Sequence, residues 1–201
     1  MKNNQQHFIE YVMHFAEENK CHIWLGGSFS TGTATEFSDV DISVFCSINV
    51  VQKLIYTYGK PVYISYTHRP LGILIIIYED GVAVDLEIIE KIDITEDQFF
   101  HTDDIHIHDY SGNKTACTTL ALRNDTPYQV ARLFHRSLIK YLSGKRALGV
   151  SIANEIEFDD TDINESDYKY RITDLLEKYN EKHRLPLEYC NILYELIDEL
   201  K

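Results

Sequence analysis

The spacing of hydrophobic and polar positions divides this chain into two parts. The first part alternates between helix and strand patterns, and the second has helix patterns only. Residues 4–19 place apolar side chains at helical spacing, which predicts an amphipathic helix, and a second helix is predicted over 49–57. Apolar runs of strand length, several with strict alternation, separate and follow these helices. The predicted strands cover residues 21–25, 39–45, 62–66, 73–78, 82–89 and 105–110.

Beyond residue 125 the pattern becomes helical, with capping and breaking residues that divide it into three segments. These residues are Asp125 or Thr126, Gly144, Ser166 and Pro186. The sequence therefore predicts a mixed α/β (α+β) domain over residues 1–124 and a C-terminal helical domain over residues 125–201.

Composition narrows the class of protein. The chain has 201 residues, 44% of them hydrophobic, and a formal net charge of −13. So acidic a chain is repelled by nucleic acids and anionic membranes, and we expect neither as a partner.

The N-terminal residues lack the layout of a signal peptide and no apolar run can span a bilayer, which predicts a cytoplasmic location. The four cysteines form no CxxC pair and are expected to be reduced, buried or half-buried thiols.

The turn after the first predicted strand has the composition of a phosphate-binding site. The strand stops at Gly26-Gly27-Ser28, where glycine allows close approach to the backbone and serine offers a hydroxyl. Backbone N–H groups at such a turn form a concave cluster that suits phosphate oxygens. Gly27 and Ser28 are therefore the predicted phosphate-binding residues.

Three aspartates on two predicted strands have the pattern of a metal-dependent transfer site. Asp39 and Asp41 are two residues apart on one strand, so both side chains project from the same face. Carboxylates held this close repel one another unless a cation lies between them. Asp85 adds a third carboxylate from an apolar strand, and two Mg²⁺ ions shared with substrate phosphates satisfy the trio. Glu87 shares the strand face of Asp85 and is the alternative third ligand or a supporting residue.

Taken in order, these elements resemble the motif of the DNA polymerase beta-type nucleotidyltransferase superfamily. Gly27-Ser28 is followed by ten residues and then by Asp39-Val40-Asp41, and Gly32-Thr33-Ala34 and Ser38 match the inner pattern of small bacterial members. The hairpin from Tyr78 to Leu86 is similar to the third-carboxylate hairpin of aminoglycoside adenylyltransferases, especially the streptomycin type. The resemblance covers roughly residues 21–122. It implies a nucleotidyltransferase fold, a mixed twisted sheet flanked by helices, with Ser38 beside the nucleotide.

Positive charge for a triphosphate has to come from another part of the chain. Many small members carry arginine just before the inner glycine, where this sequence has Thr31. Arg132, Arg136 and Lys140 are spaced by four in a stretch without acids, so they share a helix face and are predicted to clamp the nucleotide phosphates. A solvated face, or one paired with the acidic first domain, is the alternative. The acidic segment 151–167 is interpreted as a solvated loop, or as a rim that attracts a cationic acceptor.

We therefore expect a Mg²⁺-dependent enzyme that moves a nucleoside monophosphate from an NTP, expected to be ATP, to a hydroxyl of a small-molecule acceptor, releasing pyrophosphate. An aminoglycoside-like antibiotic is the acceptor that the resemblance implies. Asp39, Asp41 and Asp85 are the expected catalytic and metal-binding residues. Two alternatives stay open: an AMP-transferring enzyme that modifies a protein in a toxin–antitoxin type pair, and a non-catalytic nucleotide-binding module of the same fold. The sequence also leaves a homodimer open.

Overall fold

The chain forms two units that differ in secondary structure. The computed structural model describes residues 2–67, 73–88, 105–108, 126–156, 158 and 162–201. By internal contacts the chain separates into Met1–Leu122, which holds the strands, and Arg123–Lys201, whose described part is helical. A mixed sheet with helices, followed by helices alone, confirms the predicted fold class. The assignment of residues 1–124 and 125–201 to a catalytic and a C-terminal domain stays a prediction.

Apart from the short α2, the helices and strands of the first unit lie where apolar periodicity predicts them, and their described ends shift by no more than two residues. Ile89, Asp109 and Tyr110, at the ends of two predicted strands, lie outside the described residues. In chain order the elements are α1 (Lys2–Asn19), β1 (His22–Leu25), α2 (Gly27–Ser30), β2 (Val40–Phe45), α3 (Ile48–Tyr58), β3 (Pro61–Thr67), β4 (Ile73–Tyr78), β5 (Ala83–Ile88) and β6 (Ile105–His108).

The described strands form one mixed sheet in the order β3-β4-β5-β2-β1-β6. β2 and β5 run parallel, and the other neighbouring pairs run antiparallel. The β4–β5 hairpin turns through Gly81, whose φ of 82° lies in the left-handed region that glycine adopts without strain. Asp80 closes this turn because its carboxylate accepts the Val82 N–H at 3.1 Å. Because β2 and β5 pair in parallel with Val40 opposite Val84, the start of β5 lies beside the start of β2.

One face of the sheet is covered by α1 and α3. Val12 and Leu54 on these helices belong to the same buried cluster as Ile42, Val44 and Leu86 on the strands. Each side chain buried in this way stabilises the fold by roughly 1.5–3 kcal/mol. Burial alternates along β2 and β5, so the intervening residues of both strands are only half-buried and project from the opposite face. That opposite face carries the polar residues Asp41, Ser43, Asp85 and Glu87.

The second unit contains more helix than the sequence predicts. Its elements are α4 (Thr126–Leu142), α5 (Arg146–Asn154), a 3-10 turn (Glu165–Asp167), α6 (Tyr168–His183) and α7 (Leu187–Asp198). The predicted end of α4 is confirmed by Gly144, whose φ is 87°, and Pro186 caps α7 as predicted.

Two predictions in this unit are wrong. Residues 151–154 belong to α5 and not to an acidic loop, because Ile152 and Ala153 are buried and Gly149 lets α5 approach α4 closely. A Cβ atom on Gly149 would come within 2.7 Å of the Tyr141 Cβ. Ser166 does not cap α6, because it lies inside the 3-10 turn, which begins with a capping box between Asn164 and Asp167. Of the acidic residues in segment 151–167, those at positions 157, 159 and 160 lie outside the described residues.

The described cysteines lie in the hydrophobic interior, in agreement with prediction. Cys21, Cys46 and Cys190 are free and buried, and Cys117 lies outside the described residues. Cys21 precedes His22 and Cys46 follows Phe45, the cross-strand partner of His22, and a hydrogen bond from the Cys46 thiol lowers the pKa of Cys21. No helix in the described ranges has the length and apolar character needed to cross a lipid bilayer.

Candidate active site

The glycine-serine bend lies where β1 meets the start of β2. The Gly26 N–H donates to the Asp41 carbonyl at 2.9 Å, so the bend is joined directly to the aspartate strand. Gly27 begins α2 with a φ of 60°, a conformation that residues with a side chain rarely adopt. The Ser28 carbonyl accepts the Thr33 N–H at 2.9 Å, and this bond folds the following hydroxyl-rich loop back on the bend.

The Ser28 hydroxyl is buried at the bend. In the part of the chain that the structure describes, its Oγ has no hydrogen-bond partner. A buried hydroxyl without a partner is costly, and it can donate to an incoming acceptor such as a phosphate oxygen. The arrangement fits the predicted role of Ser28, which stays a prediction.

Gly27 and Asp41 are in close contact. A Cβ atom built on Gly27 would lie 1.8 Å from Asp41 Oδ2 and 2.6 Å from its Cγ. Because real Cβ atoms do not approach so closely, the carboxylate occupies the space that a side chain at residue 27 would need. The bend and the carboxylate therefore form one site.

Asp41 and Asp85 lie directly opposite each other on the parallel strands β2 and β5. Adjacent strands are about 4.8 Å apart, and register partners point to the same face. Both residues are half-buried, and each lies between two buried apolar residues of its strand. Of the two candidates for a third carboxylate, Asp85 is thus the one in the row of Asp41.

Glu87 and Ser43 form the next row of the same face. They are register partners on β5 and β2, and the Ser43 hydroxyl donates to Glu87 Oε2 at 3.0 Å. Two residues along a strand correspond to about 6.6 Å, so this row lies that much farther from the bend. Trp24 on β1 and Ile73 on β4 are the register partners of Ser43 and Glu87 and extend the row to the neighbouring strands.

Asp39 and Ser38 lie in the loop before β2. Asp39 is half-buried and directly precedes Val40, the first residue of the strand. The Ser38 hydroxyl accepts the Thr35 N–H at 2.9 Å, and the Ser38 N–H donates to the Thr35 carbonyl at 3.2 Å. The structure thus gives Ser38 a local role in closing this turn, and its contact with a nucleotide stays a prediction.

The aspartates do not form a ready-made metal cage. Across the described ranges, no group of three or more His, Cys, Asp or Glu side chains is arranged to hold a metal ion by itself. Mg²⁺ commonly takes one or two carboxylates and completes its shell with substrate phosphates and water. The hard oxygen donors Asp41 and Asp85, on one face of the sheet with Asp41 beside Gly27, fit that mode of binding.

The predicted phosphate clamp belongs to the second unit. Arg132, Arg136 and Lys140 lie on α4 four residues apart, as predicted, with Arg136 exposed and the other two half-buried. Arg132 Nε is buried and has no hydrogen-bond partner among the residues described. The binding of nucleotide phosphates by these three residues stays a prediction.

Sequence reasoning missed one residue that contacts the site loop. Gln5 on α1 is only 5% exposed, and its side-chain amide donates to the carbonyls of Glu36 and Ser38. The signal in the sequence is a glutamine one helical turn before Phe8 and Ile9, on the face of α1 that is otherwise apolar.

Comparison with known proteins identifies the family. The sequence profile described as nucleotidyltransferase domain matches residues 10–174, which include the bend, all three aspartates and α4. No curated protein sequence matches the chain significantly. Together with the bend and the paired aspartates, a match over most of the chain shows that it belongs to the nucleotidyltransferase domain family, whose members are transferases of nucleoside monophosphates.

Proposed function

We propose that this nucleotidyltransferase uses Mg²⁺ and ATP to transfer AMP to a hydroxyl group of a small-molecule acceptor, with an aminoglycoside-like compound as the first candidate. The observation that carries the proposal is the cross-strand pair of Asp41 and Asp85 beside Gly27. Half-buried carboxylates in facing positions favour a bound cation, and the bend next to Asp41 offers the buried Ser28 hydroxyl as a donor for phosphate oxygens.

The reaction is an in-line displacement at the α-phosphorus. The acceptor oxygen forms the new bond to phosphorus, the bond to the bridging oxygen of pyrophosphate breaks, and pyrophosphate leaves. Gly27 and Ser28 bind the β- and γ-phosphates and orient this leaving group. Asp85 lies nearest the attacking hydroxyl and accepts its proton. Positioning the two reactants in this way supplies a large part of the rate enhancement.

Asp39, Asp41 and Asp85 are the residues that hold Mg²⁺ in this proposal. When bound, the ion neutralises the negative charge that develops on the phosphate oxygens. Asp41 is held by the β2–β5 pairing and by its backbone bond to Gly26, so its carboxylate has a defined position before any substrate binds.

The test is transfer of label from NTPs. The purified protein is incubated with Mg²⁺ and each α-labelled NTP, together with aminoglycosides or a cell extract, and labelled products are separated by mass. We expect labelled small molecules with ATP. In Asp41→Asn and Asp85→Asn the rate should fall by about three orders of magnitude, since lost charge stabilisation of several kcal/mol has that effect.

Asp198→Asn, an exposed aspartate on α7, is the matched control and should keep full activity. Label on protein alone would favour the protein-modifying alternative. Absence of label with every NTP, or full activity of both site variants, would contradict the proposed function.

A further inference from the structure

The first turn of α1 places a polar side chain where packing calls for an apolar one. Gln5 lies one turn before Phe8 and Ile9, which pack on the sheet, and it is as buried as they are. Burying an amide without compensating bonds is costly. A glutamine at this position therefore requires a reason other than hydrophobic packing.

The contacts of Gln5 supply that reason. Its Nε2 donates to the Glu36 carbonyl at 3.2 Å and also to the Ser38 carbonyl. A glutamine amide carries two N–H groups, so one nitrogen serves both carbonyls. Oε1 is buried and finds no hydrogen-bond partner within the described residues. Rotating the amide by half a turn would place Oε1 against two other acceptors, so the two carbonyls determine the orientation of the side chain.

The Glu36 and Ser38 carbonyls belong to the three residues that precede Asp39. Ser38 is the neighbour of Asp39, and β2 begins only at Val40. Asp41 is held by the strand ladder, whereas Asp39 lies before it and depends on the loop for its position. The bonds between Thr35 and Ser38 close the turn internally, and the bonds from Gln5 join the turn to α1.

We propose that Gln5 is a positioning residue for Asp39: its amide fixes the backbone of residues 36–38 so that the Asp39 carboxylate faces the same site as Asp41. This inference rests on the proposed function for its effect on turnover. Without the amide the sheet and the core remain, but the backbone before Asp39 gains freedom and Mg²⁺ binds less tightly at the site.

The decisive variant is Gln5→Leu, which keeps the volume and burial of the side chain and removes both donors. Its fold should persist with only a modest loss of thermal stability, because the core keeps its packing while the Glu36 and Ser38 carbonyls lose their donor. Its kcat should fall by about 100-fold, the typical effect of a displacement near 1 Å. The Mg²⁺ concentration for half-maximal rate should rise while KM for the acceptor stays constant, a pattern that a merely structural role would not produce.

Gln6→Leu is the matched control because Gln6 is the exposed neighbour on the same helix. It should behave like the wild type in every assay. Equal Mg²⁺ dependence of Gln5→Leu and wild type would overturn the inference.

Amide hydrogen exchange separates this inference from the proposed function. In Gln5→Leu the amides of residues 36–40 should exchange faster than in the wild type, while those of β4 and β5 should not change. This readout needs no substrate, so it decides the inference even if the wild-type protein transfers no nucleotide. Unchanged exchange at residues 36–40 would overturn it, whatever the activity of the wild type.

Discussion

Gly27 and Asp41 occupy adjoining space so tightly that no side chain can be added to the glycine without moving the carboxylate. The separation of 1.8 Å between a Cβ atom at residue 27 and Asp41 Oδ2 is far below any permitted contact. Glycine is therefore required here on two grounds, the positive φ and the proximity of a predicted metal ligand.

The first prediction separates these two grounds. Gly27→Ala should reduce kcat/KM by about 100-fold or more because it displaces Asp41. Gly32→Ala is the control, since Gly32 also has a positive φ of 70° but no atom within 4 Å of its Cβ position. In both variants the strained backbone should lower the free energy of unfolding by about 1 kcal/mol, which a denaturant titration measures. Equal activity of the two variants would show that the contact with Asp41 has no functional weight.

A second prediction tests the choice of the third carboxylate. Asp85→Asn should lower turnover by about three orders of magnitude. Glu87→Gln should keep turnover within about tenfold, since the Glu87 carboxylate is bound by Ser43 one row away. Steady-state rates at saturating Mg²⁺ decide the matter. The reverse order of effects would assign the third position to Glu87 and leave Asp85 a supporting role.

A third prediction concerns the basic face of α4. Arg136 is exposed, so Arg136→Glu should leave the fold intact. If Arg136 binds a phosphate, KM for ATP should rise by about tenfold, the value of one charge-assisted hydrogen bond. Lys182→Glu, an equal change of charge at an exposed site on α6, is the control. Equal KM values for ATP in the two variants would favour the alternative interpretation, in which this face of α4 is solvated.

A fourth prediction concerns alkaline stability. Burial raises the pKa of Tyr11 to about 12, and its hydroxyl donates to the Leu54 carbonyl at 2.8 Å. An unfolded tyrosine ionises near pH 10, so the unfolded state loses its proton first. The stability contributed by Tyr11 is therefore complete below pH 10 and is lost as pH rises towards 12.

Tyr11→Phe should lower the free energy of unfolding at neutral pH by about 1 kcal/mol and flatten its decline above pH 10. Urea titrations between pH 7 and 12 measure both effects. Tyr170, which is 69% exposed, provides the control: Tyr170→Phe should change neither. An unaltered alkaline decline in Tyr11→Phe would refute the assignment to Tyr11.

Local patterns predict most elements of the first unit because each has a strong period of its own. The alternation from Asp39 to Phe45, for example, predicts both a strand and the face of Asp41, whereas Asp39 itself lies in the loop just before that strand. α5 escaped prediction because its small residues acquire meaning only against α4, where Gly149 permits close packing. Gln5 escaped for a similar reason, since a polar residue on a helix suggests solvent until its carbonyl partners are known.

Register between distant strands is the other quantity that sequence leaves undetermined. The sequence predicts that Asp41 and Asp85 share a site, but it does not specify that they are direct partners on parallel strands. That pairing depends on which strands become neighbours, and strand order is a property of the whole sheet.

The parallel pairing of β2 with β5 has a consequence for the kinetics of folding. Between the two strands the chain must build α3, β3 and β4, so both aspartates are brought together only by a contact that closes a loop of 44 residues. Contacts of such long range form slowly and late. Refolding protein should regain helix content before it regains any capacity for turnover, and no fragment that ends ahead of residue 83 can regain it at all.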